Sequence, residues 1–590
     1  MVQESKQTQA SAEKWASQDA KEVHAKAFRT LELVAAWVDR GASSSSEPVT
    51  RYTDSRDLRQ MKQRSGELLK YALKEEGVDD SGDDGKLWEF FEATLNDSVN
   101  PWTRRFLDKL YQTPSTMGPA IELMLGALNA SGVVSSASPA LSLAEEQCVE
   151  ALARQMSWDT SRCDGLTMPG GSASNILAVQ TALANAFPSF KSAGILGVAA
   201  DLQAQGRKGR AARPILVTSA HSHYSMEKAA LGCGLGLDSV VKVKGDATGR
   251  IDVEELDSVL ETALSNLDGE SATVAGYPFF VGSTSGTTIL GAFDDLDAIN
   301  KLCNRHRQTN GTRIWHHVDA SWGGPVLFSR DAKRLMCGVE NVDSLTINPH
   351  KALNVTQQCS FALFRDGSTL AANVTGAKYL FHGTGQGPPS RDVLRRNPGS
   401  KTMGCGRRPD AFKFYVAWLQ EGSNGFGAHV DRGIAIARKV VDAVKKRPTL
   451  QLAQGMPSES DLFLNVCFQP ALGPAADIVI AQTLSKLAAE GNTTVESLRK
   501  RLCSQATVHA HSELGRAGKF TVDRAPLSPP HGDGYYMRLI THPTTAWHIY
   551  EEIIDEIDRL GQQMLRAEYL EGLCSDDGVG LSILLSVADD

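Results

Sequence analysis

The 590-residue chain has ten cysteines (148, 163, 233, 303, 337, 359, 405, 467, 503 and 574) but no Cys-x-x-Cys pair. A chain this long is not a disulfide scaffold, so reduced thiols and no structural metal are expected. It has no apolar run long enough to span a bilayer, so no membrane partner is expected. It has no block of like charge either: the formal net charge of -8 is scattered, which excludes a nucleic-acid stripe and a polybasic membrane patch. Met1 to Lys14 is polar and carries Glu4 and Glu13, against a secretory leader or a transit peptide, so the expected location is cytoplasmic. No repeat of fixed period is present. What the chain does have is 42% hydrophobic residues, enough for two large lobes, or one lobe with extensions.

Val23, Ala27, Leu31, Val34 and Val38 fall at helical spacing within residues 19–40, and the Ser-rich GASSSSEP after them reads as a flexible link. An amphipathic arm of this kind packs on the body or on a partner subunit. From about residue 120 to 422, β-rich runs (213–219, 275–283, 313–319, 343–347) alternate with helical stretches such as 252–266 and 294–307. That alternation predicts an α/β lobe: a large, mostly parallel sheet with helices on both faces. After Gly422 come a helix (428–446), a strand (462–468), a helix (476–490), a strand (535–540) and a final amphipathic helix (544–568), read as a smaller α+β lobe. The predicted division is therefore an N-terminal arm and linker over 1–111, a large domain over 112–422 and a small C-terminal domain with a tail over 423–590.

Three segments carry chemistry. In TMPGGSASNILAVQTALANAF (167–187), Gly170 and Gly171 let the backbone approach a ligand closely, and the helix start at Ser172, Ala173 and Ser174 suits a phosphate dianion. An ordinary turn with an N-cap is the alternative. Strand 313–319 ends in Asp319 and runs on through Ala320; a carboxylate there points into the crevice where α/β sheets bind ligands, or else serves as a turn or cap residue. DSLTINPHKALN (343–354) breaks at Asn348-Pro349 and displays His350 and Lys351 in the following turn, where a lone lysine is ordinarily a solvated surface residue. Together an anion cradle, a carboxylate for a pyridinium nitrogen and an amine for an aldehyde meet the needs of pyridoxal 5′-phosphate (PLP). SAHSHYSMEKAA (219–230) adds His223, whose imidazole suits the face of such a ring; His221 and His223 as metal ligands are the alternative, without an evident third ligand.

TMPGGSASN, SHYSMEKA, TSGTTILGAFDDL (284–296), HHVDASWGG and above all DSLTINPHK resemble the group II PLP-dependent amino-acid decarboxylases, which act on glutamate, cysteine sulfinate or aromatic amino acids. The likeness continues through residues 405–431 and 535–545, covering roughly 95 to 565, and is nearest to the glutamate and cysteine-sulfinate branch. It implies the PLP-dependent transferase fold type I (aspartate-aminotransferase-like) and a homodimer with active sites at the subunit interface. Carried over by position, Lys351 is the Schiff-base lysine, Asp319 pairs with the pyridinium nitrogen and His223 stacks on the ring. Gly171, Ser172, Ala173, Ser174 and Asn175 lie on the phosphate side, Asn348 and His350 beside the lysine, Ala320 beside the aspartate, and Thr287 along the ring or phosphate. Arg538 stands where the glutamate branch holds a substrate carboxylate; a sheet-edge arginine paired to a neighbour is the alternative.

Two departures matter. Where the glutamate branch carries Gln and Ser, this chain has Lys109 and Tyr111, which points away from glutamate itself: if Arg538 and Lys109 both face the pocket the expected substrate is a small acidic amino acid such as aspartate or cysteine sulfinate, and if Tyr111 alone does, an apolar or aromatic one. The segment 381–403 lacks the tyrosine that protonates Cα in the decarboxylases; His382 is the candidate replacement, or else a solvent-facing loop residue. The expected reaction is α-decarboxylation to the amine. Decarboxylation with oxidative deamination to an aldehyde, and a catalytically dead scaffold dimer, are the competing readings.

Overall fold

The computed structural model describes residues 2–43, 84–269, 274–374, 377, 379–381, 389–490 and 494–574. These fall into two compact units, one comprising Met1–Leu107 with His509–Val522 and the other Asp108–Val508 with Asp523–Asp590.

In the first unit the predicted amphipathic helix extends over Val2–Ser43, and a second helix spans Asp84–Asp97. Arg40 reaches Asn96 at 2.9 Å and the Asn100 amide donates to the Trp37 carbonyl at 3.2 Å, tying the first helix to the end of the second and the segment after it. Val23 and Leu31 of the predicted apolar stripe stay exposed. The Ser-rich link lies, from residue 44, outside the described residues.

The second unit is built on a seven-stranded sheet: β1 (Asp164–Met168), β2 (Pro214–Ser219), β3 (Val240–Val243), β4 (Tyr277–Thr284), β5 (Trp315–Ala320), β6 (Ser344–Ile347) and β7 (Ser360–Phe364), in the order β1-β7-β6-β5-β4-β2-β3. Only β7 runs against the others. The central strands are buried along their whole length, as continuous apolar runs require when helices cover both faces. In β2, Leu216 packs with Phe279, Phe280 and Leu177 on one face, while Ile215 and Val217 pack with Val281, Leu256, Leu260 and Ile299 on the other. Each such side chain contributes roughly 1.5–3 kcal/mol by leaving water.

The helices between strands begin where their caps dictate. Asp252 accepts from the Glu254 and Glu255 amides to start Val253–Ser265, and Asp295 accepts from Ala298 to start Leu296–Asn310. Ala411–Lys445 is one helical stretch broken at Gly422, whose φ of +64° a side chain tolerates poorly. A second, antiparallel sheet follows, made of β8 (Leu450–Leu452), β9 (Asn465–Pro470), β10 (Asp523–Leu527) and β11 (Gly534–Ile540) in the order β10-β11-β9-β8. Trp547–Leu565 closes the small lobe with Ile549, Ile553, Ile554 and Ile557 buried. A mostly parallel sheet with a smaller antiparallel sheet is the predicted fold class. Among the described residues, no helix is long and apolar enough to cross a membrane.

Candidate active site

The segments singled out in the sequence converge at one end of the large sheet. β1, β2, β4, β5 and β6 point the same way, and the residues leaving their carboxyl ends wall a cavity of about 200 Å³. Gly171 and Ser172 come after β1, His223 and Ser225 after β2, Gly286 and Thr288 after β4, Ser321 and Trp322 after β5, and Asn348, His350 and Lys351 after β6; Thr284 and Asp319 stand at strand ends. This is the crevice in which open α/β sheets bind ligands.

Asp319 is buried, and each of its oxygens has a donor. Oδ1 accepts from the Ser321 amide at 3.0 Å and Oδ2 from the Asn175 side chain at 2.8 Å. Burial works to raise its pKa, but Lys351, the Ser321 contact, His223 and Asn175 outweigh it, and the carboxyl is held below the usual range. Lys351 shows the opposite balance: burial, helped by the charge of Arg538, lowers its pKa against the pull of Asp319. The amine therefore releases its proton more readily than an ordinary lysine, as a nucleophilic amine requires. His223 is also lowered by burial, and its Nδ1 accepts from the Ser225 amide at 3.2 Å, which places the ring hydrogen on Nε2. His350 is pushed down to about 4 by burial against the pull of the Cys359 carbonyl, to which its Nδ1 donates at 2.5 Å.

The remaining named residues separate into layers. Gly171 and Ser172 reach the cavity, whereas Ala173 turns its amide onto the Gly170 carbonyl at 3.1 Å and Ser174 bonds Ser360 at 2.8 Å, behind the wall. Asn175 is fully buried behind Asp319, and Ala320 is fully buried in the core. Thr287 is buried with its Oγ1 accepting from the Ala292 amide; its neighbours Gly286 and Thr288 face the cavity instead. Arg538, on β11, donates to the Thr288 carbonyl at 2.9 Å, the Asp108 carbonyl at 2.7 Å and the Asp523 carboxylate at 2.7 Å. Lys109 pairs with Asp108 at 3.1 Å and lies 3.9 Å from Asp523, and Tyr111 is 39% exposed; neither lines the cavity. His221 packs edge-on against His531 at 4.4 Å. His382 lies outside the described residues. Sequence reasoning missed Ser225, Thr284, Gly286, Thr288, Ser321 and Trp322; Gly286 and Thr288 flank the named Thr287, Ser321 and Trp322 directly follow the Asp319-Ala320 pair, and Ser225 sits two residues after His223.

The cavity suits a small, polar, anionic group. Thr284 Oγ1 and Asn348 Oδ1 are buried at its wall without a protein partner, as a site completed by a ligand leaves them. A side chain at Gly171 would collide with Ser321 and Asn348, so only glycine keeps the space at the helix start open. Together with a buried anionic carboxylate and an amine of lowered pKa, these residues fit PLP.

Comparison with known proteins agrees. Residues 68–470 match the pyridoxal-dependent decarboxylase conserved domain. The chain is 32% identical to the cysteine sulfinic acid decarboxylase of Rattus norvegicus over 534 residues, covering 89% of this chain and 93% of that protein. It is 32% identical to the L-aspartate decarboxylase dtxS4 of Metarhizium robertsii, covering 82% and 84%. The crystal structure of mouse CSAD superposes with a TM-score of 0.72 at 28% identity, over 92% of this chain and 98% of that one. An Oryza sativa TDC solved with PLP and tryptamine shares the fold, with a TM-score of 0.72 at 19% identity, over 93% and 99%. The chain belongs to the pyridoxal-dependent decarboxylase family, and it is a PLP-dependent amino-acid decarboxylase.

Proposed function

We propose that this enzyme removes the α-carboxylate of a small acidic amino acid as CO2 and returns the amine, with Lys351 as the cofactor-bearing amine, Asp319 at the ring nitrogen and His223 on the ring face. PLP, when bound, supplies the sink for the electron pair left at Cα. The ionised Asp319 holds a proton on the ring nitrogen, and its two donors keep it from turning away. Lys351 accepts and returns a proton readily because burial lowers its pKa. The amides of Gly171 and Ser172 head the helix Gly171–Ala186 and offer its positive end to a phosphate.

The observation that carries this reading is that buried Asp319, its oxygens held by Asn175 and Ser321, and Lys351 line a single cavity. Support for an acidic substrate comes from the relatives, which are named for cysteine sulfinic acid and L-aspartate, and from the positive charge of Arg538 felt at Lys351. A homodimer, a cytoplasmic location, the division at 111 and 422, and Cα protonation by His382 belong to the same reading.

The test is CO2 release by purified, PLP-loaded protein from aspartate, cysteine sulfinate, glutamate, tyrosine, tryptophan and DOPA. Fastest release from aspartate or cysteine sulfinate is expected; fastest release from an aromatic substrate would overturn the acidic assignment.

A further inference from the structure

Behind Asp319 runs a buried chain of hydrogen bonds that the reaction itself does not use. Asp319, Asn175, His317, Ser344 and Trp315 are each at most 5% exposed. The Asn175 amide nitrogen donates to Asp319 Oδ2 and to Ser225 Oγ, both at 2.8 Å, while its Oδ1 faces His317 Nε2 at 3.0 Å. On the other side of the ring, Nδ1 meets Ser344 Oγ at 2.8 Å, and the Trp315 indole donates to that same oxygen at 2.8 Å.

Donor counting assigns the ring hydrogen, with Thr346 Oγ1 a more distant contact of the same Nε2 at 3.4 Å. An amide oxygen only accepts, so His317 Nε2 must carry a hydrogen for the Asn175 contact to be a bond. Burial pushes the imidazole pKa down to about 4, so at neutral pH the ring holds one hydrogen and Nδ1 is bare. Ser344, already accepting from Trp315, supplies its hydroxyl hydrogen to that bare nitrogen. The amide orientation follows: turned over, Asn175 would set its oxygen against the Asp319 carboxylate and its nitrogen against the His317 N–H, with two repulsions in a dry site.

We propose that His317 is a positioning residue for Asp319: by donating to Asn175 Oδ1 it fixes which edge of the amide meets the carboxylate, so that Asp319 receives a donor rather than a second acceptor. The ionisable groups facing Asp319 are Lys351 from the turn after β6, His223 from the segment after β2 and His317 on β5 itself. Lys351 and His223 attract the carboxylate from the cavity side, whereas Asn175 approaches from the core side, where no solvent replaces a lost donor.

The inference rests on the reading of Asp319 as the ring-nitrogen partner, and its test separates the two. PLP affinity of the cofactor-stripped protein is followed by quenching of tryptophan fluorescence from acid to neutral pH, with thermal unfolding recorded alongside. His317→Leu removes the donor and is expected to weaken PLP binding about tenfold at neutral pH, the scale of one hydrogen bond to a charged group. The acid midpoint for PLP release should also move to higher pH, because Asp319 then takes up its proton sooner. His317→Gln, whose amide N–H can reach the position of Nε2, should restore both. A lowered melting temperature with unchanged affinity and midpoint would make His317 a packing residue only and overturn the proposal. Should His317→Leu fail to fold, Asn175→Ala must give the same midpoint shift, and an unshifted midpoint overturns the proposal equally. Asp319→Asn is the control: if it leaves affinity and midpoint unchanged, the reading of Asp319 fails; if it changes them while the His317 and Asn175 variants do not, only the relay fails.

Discussion

Arg538 on β11 and Asp523 on β10 stand directly opposite each other in the antiparallel register and join through an ion pair of 2.7 Å. Arg538, which the likeness to the glutamate branch proposes as the holder of a substrate carboxylate, thus already holds an internal one, while another of its nitrogens donates to the carbonyl of cavity-lining Thr288. Asp523→Asn is expected to lower KM for an acidic substrate about two- to fivefold, as loss of a competing pair of roughly 0.5–1 kcal/mol would do, with kcat little changed. Steady-state kinetics on aspartate and cysteine sulfinate check this. An unchanged KM would mean that Arg538 does not reach the substrate.

Glu145 and Arg407 form a buried pair at 2.6 Å against Thr167, which lies just before the Gly170-Gly171 turn. The same carboxylate accepts from the Thr167 amide and hydroxyl, and Arg407 also donates to the Gly132 carbonyl, so the pair pins β1. Burial raises the Glu145 pKa, yet Arg407 and Thr167 together hold it below the usual value, so deleting the arginine leaves a buried uncompensated charge. Arg407→Met is expected to destabilise the protein by roughly 3–5 kcal/mol, and adding Glu145→Gln should recover part of that. Denaturant unfolding measures both; a loss no greater than that of an exposed arginine would contradict the pairing.

Four histidines are held in the neutral form, His316 and His317 buried and His350 and His429 partly buried: His316 is pushed down to about 3, and His317, His350 and His429 to about 4, in each case first by desolvation. Unfolded, each binds a proton below its ordinary value of 6.5, whereas folded it does not until far lower pH. The unfolded state therefore holds more protons in that window, and the stability these residues contribute is complete above about 6.5 and is lost as pH falls through the folded values. Unfolding free energy should decline steadily from pH 6.5 to about 4. His316→Asn, which leaves the cavity untouched, should reduce that slope by about one proton. An unaltered slope would show that His316 takes up its proton in the fold as readily as in the unfolded chain.

Much of this arrangement was legible in the sequence because it depends on local rules. The strands predicted at 213–219, 313–319 and 343–347 are β2, β5 and β6 within two residues, since apolar runs bounded by breakers leave few alternatives. Lys351, Asp319, His223 and the Gly171-Ser172 turn reach one cavity because each stands at or just beyond the carboxyl end of a parallel strand. Less legible was depth. Asn175 and Ser172 are three residues apart on one helix, yet one faces the core behind Asp319 and the other the cavity, a distinction set by helix rotation against the sheet. Lys109 was equally opaque: its charge is shared with Asp108 and Asp523, and Asp523 is more than 400 positions away in the chain. β7 escaped notice because SFALF is short and lies just beyond the conspicuous lysine motif.

Asp319→Asn keeps the size and one acceptor of the carboxylate but removes the charge that holds a proton on the ring nitrogen. Turnover is expected to fall by about a hundredfold or more even at saturating PLP, where the weakened cofactor site is still filled, the scale associated with losing a positioned proton-holding group. Single-turnover CO2 release alongside cofactor content separates the two effects. A near-normal rate would reduce Asp319 to a turn residue.

The most direct measurement is the site of covalent attachment: borohydride reduction of the PLP-loaded protein, followed by digestion and mass mapping. The expected result is one phosphopyridoxyl group on the peptide containing Lys351, absent from Lys351→Ala, which should still fold. Labelling of a different lysine, or undiminished labelling and CO2 release in Lys351→Ala, would contradict the assignment of this cavity as the active site.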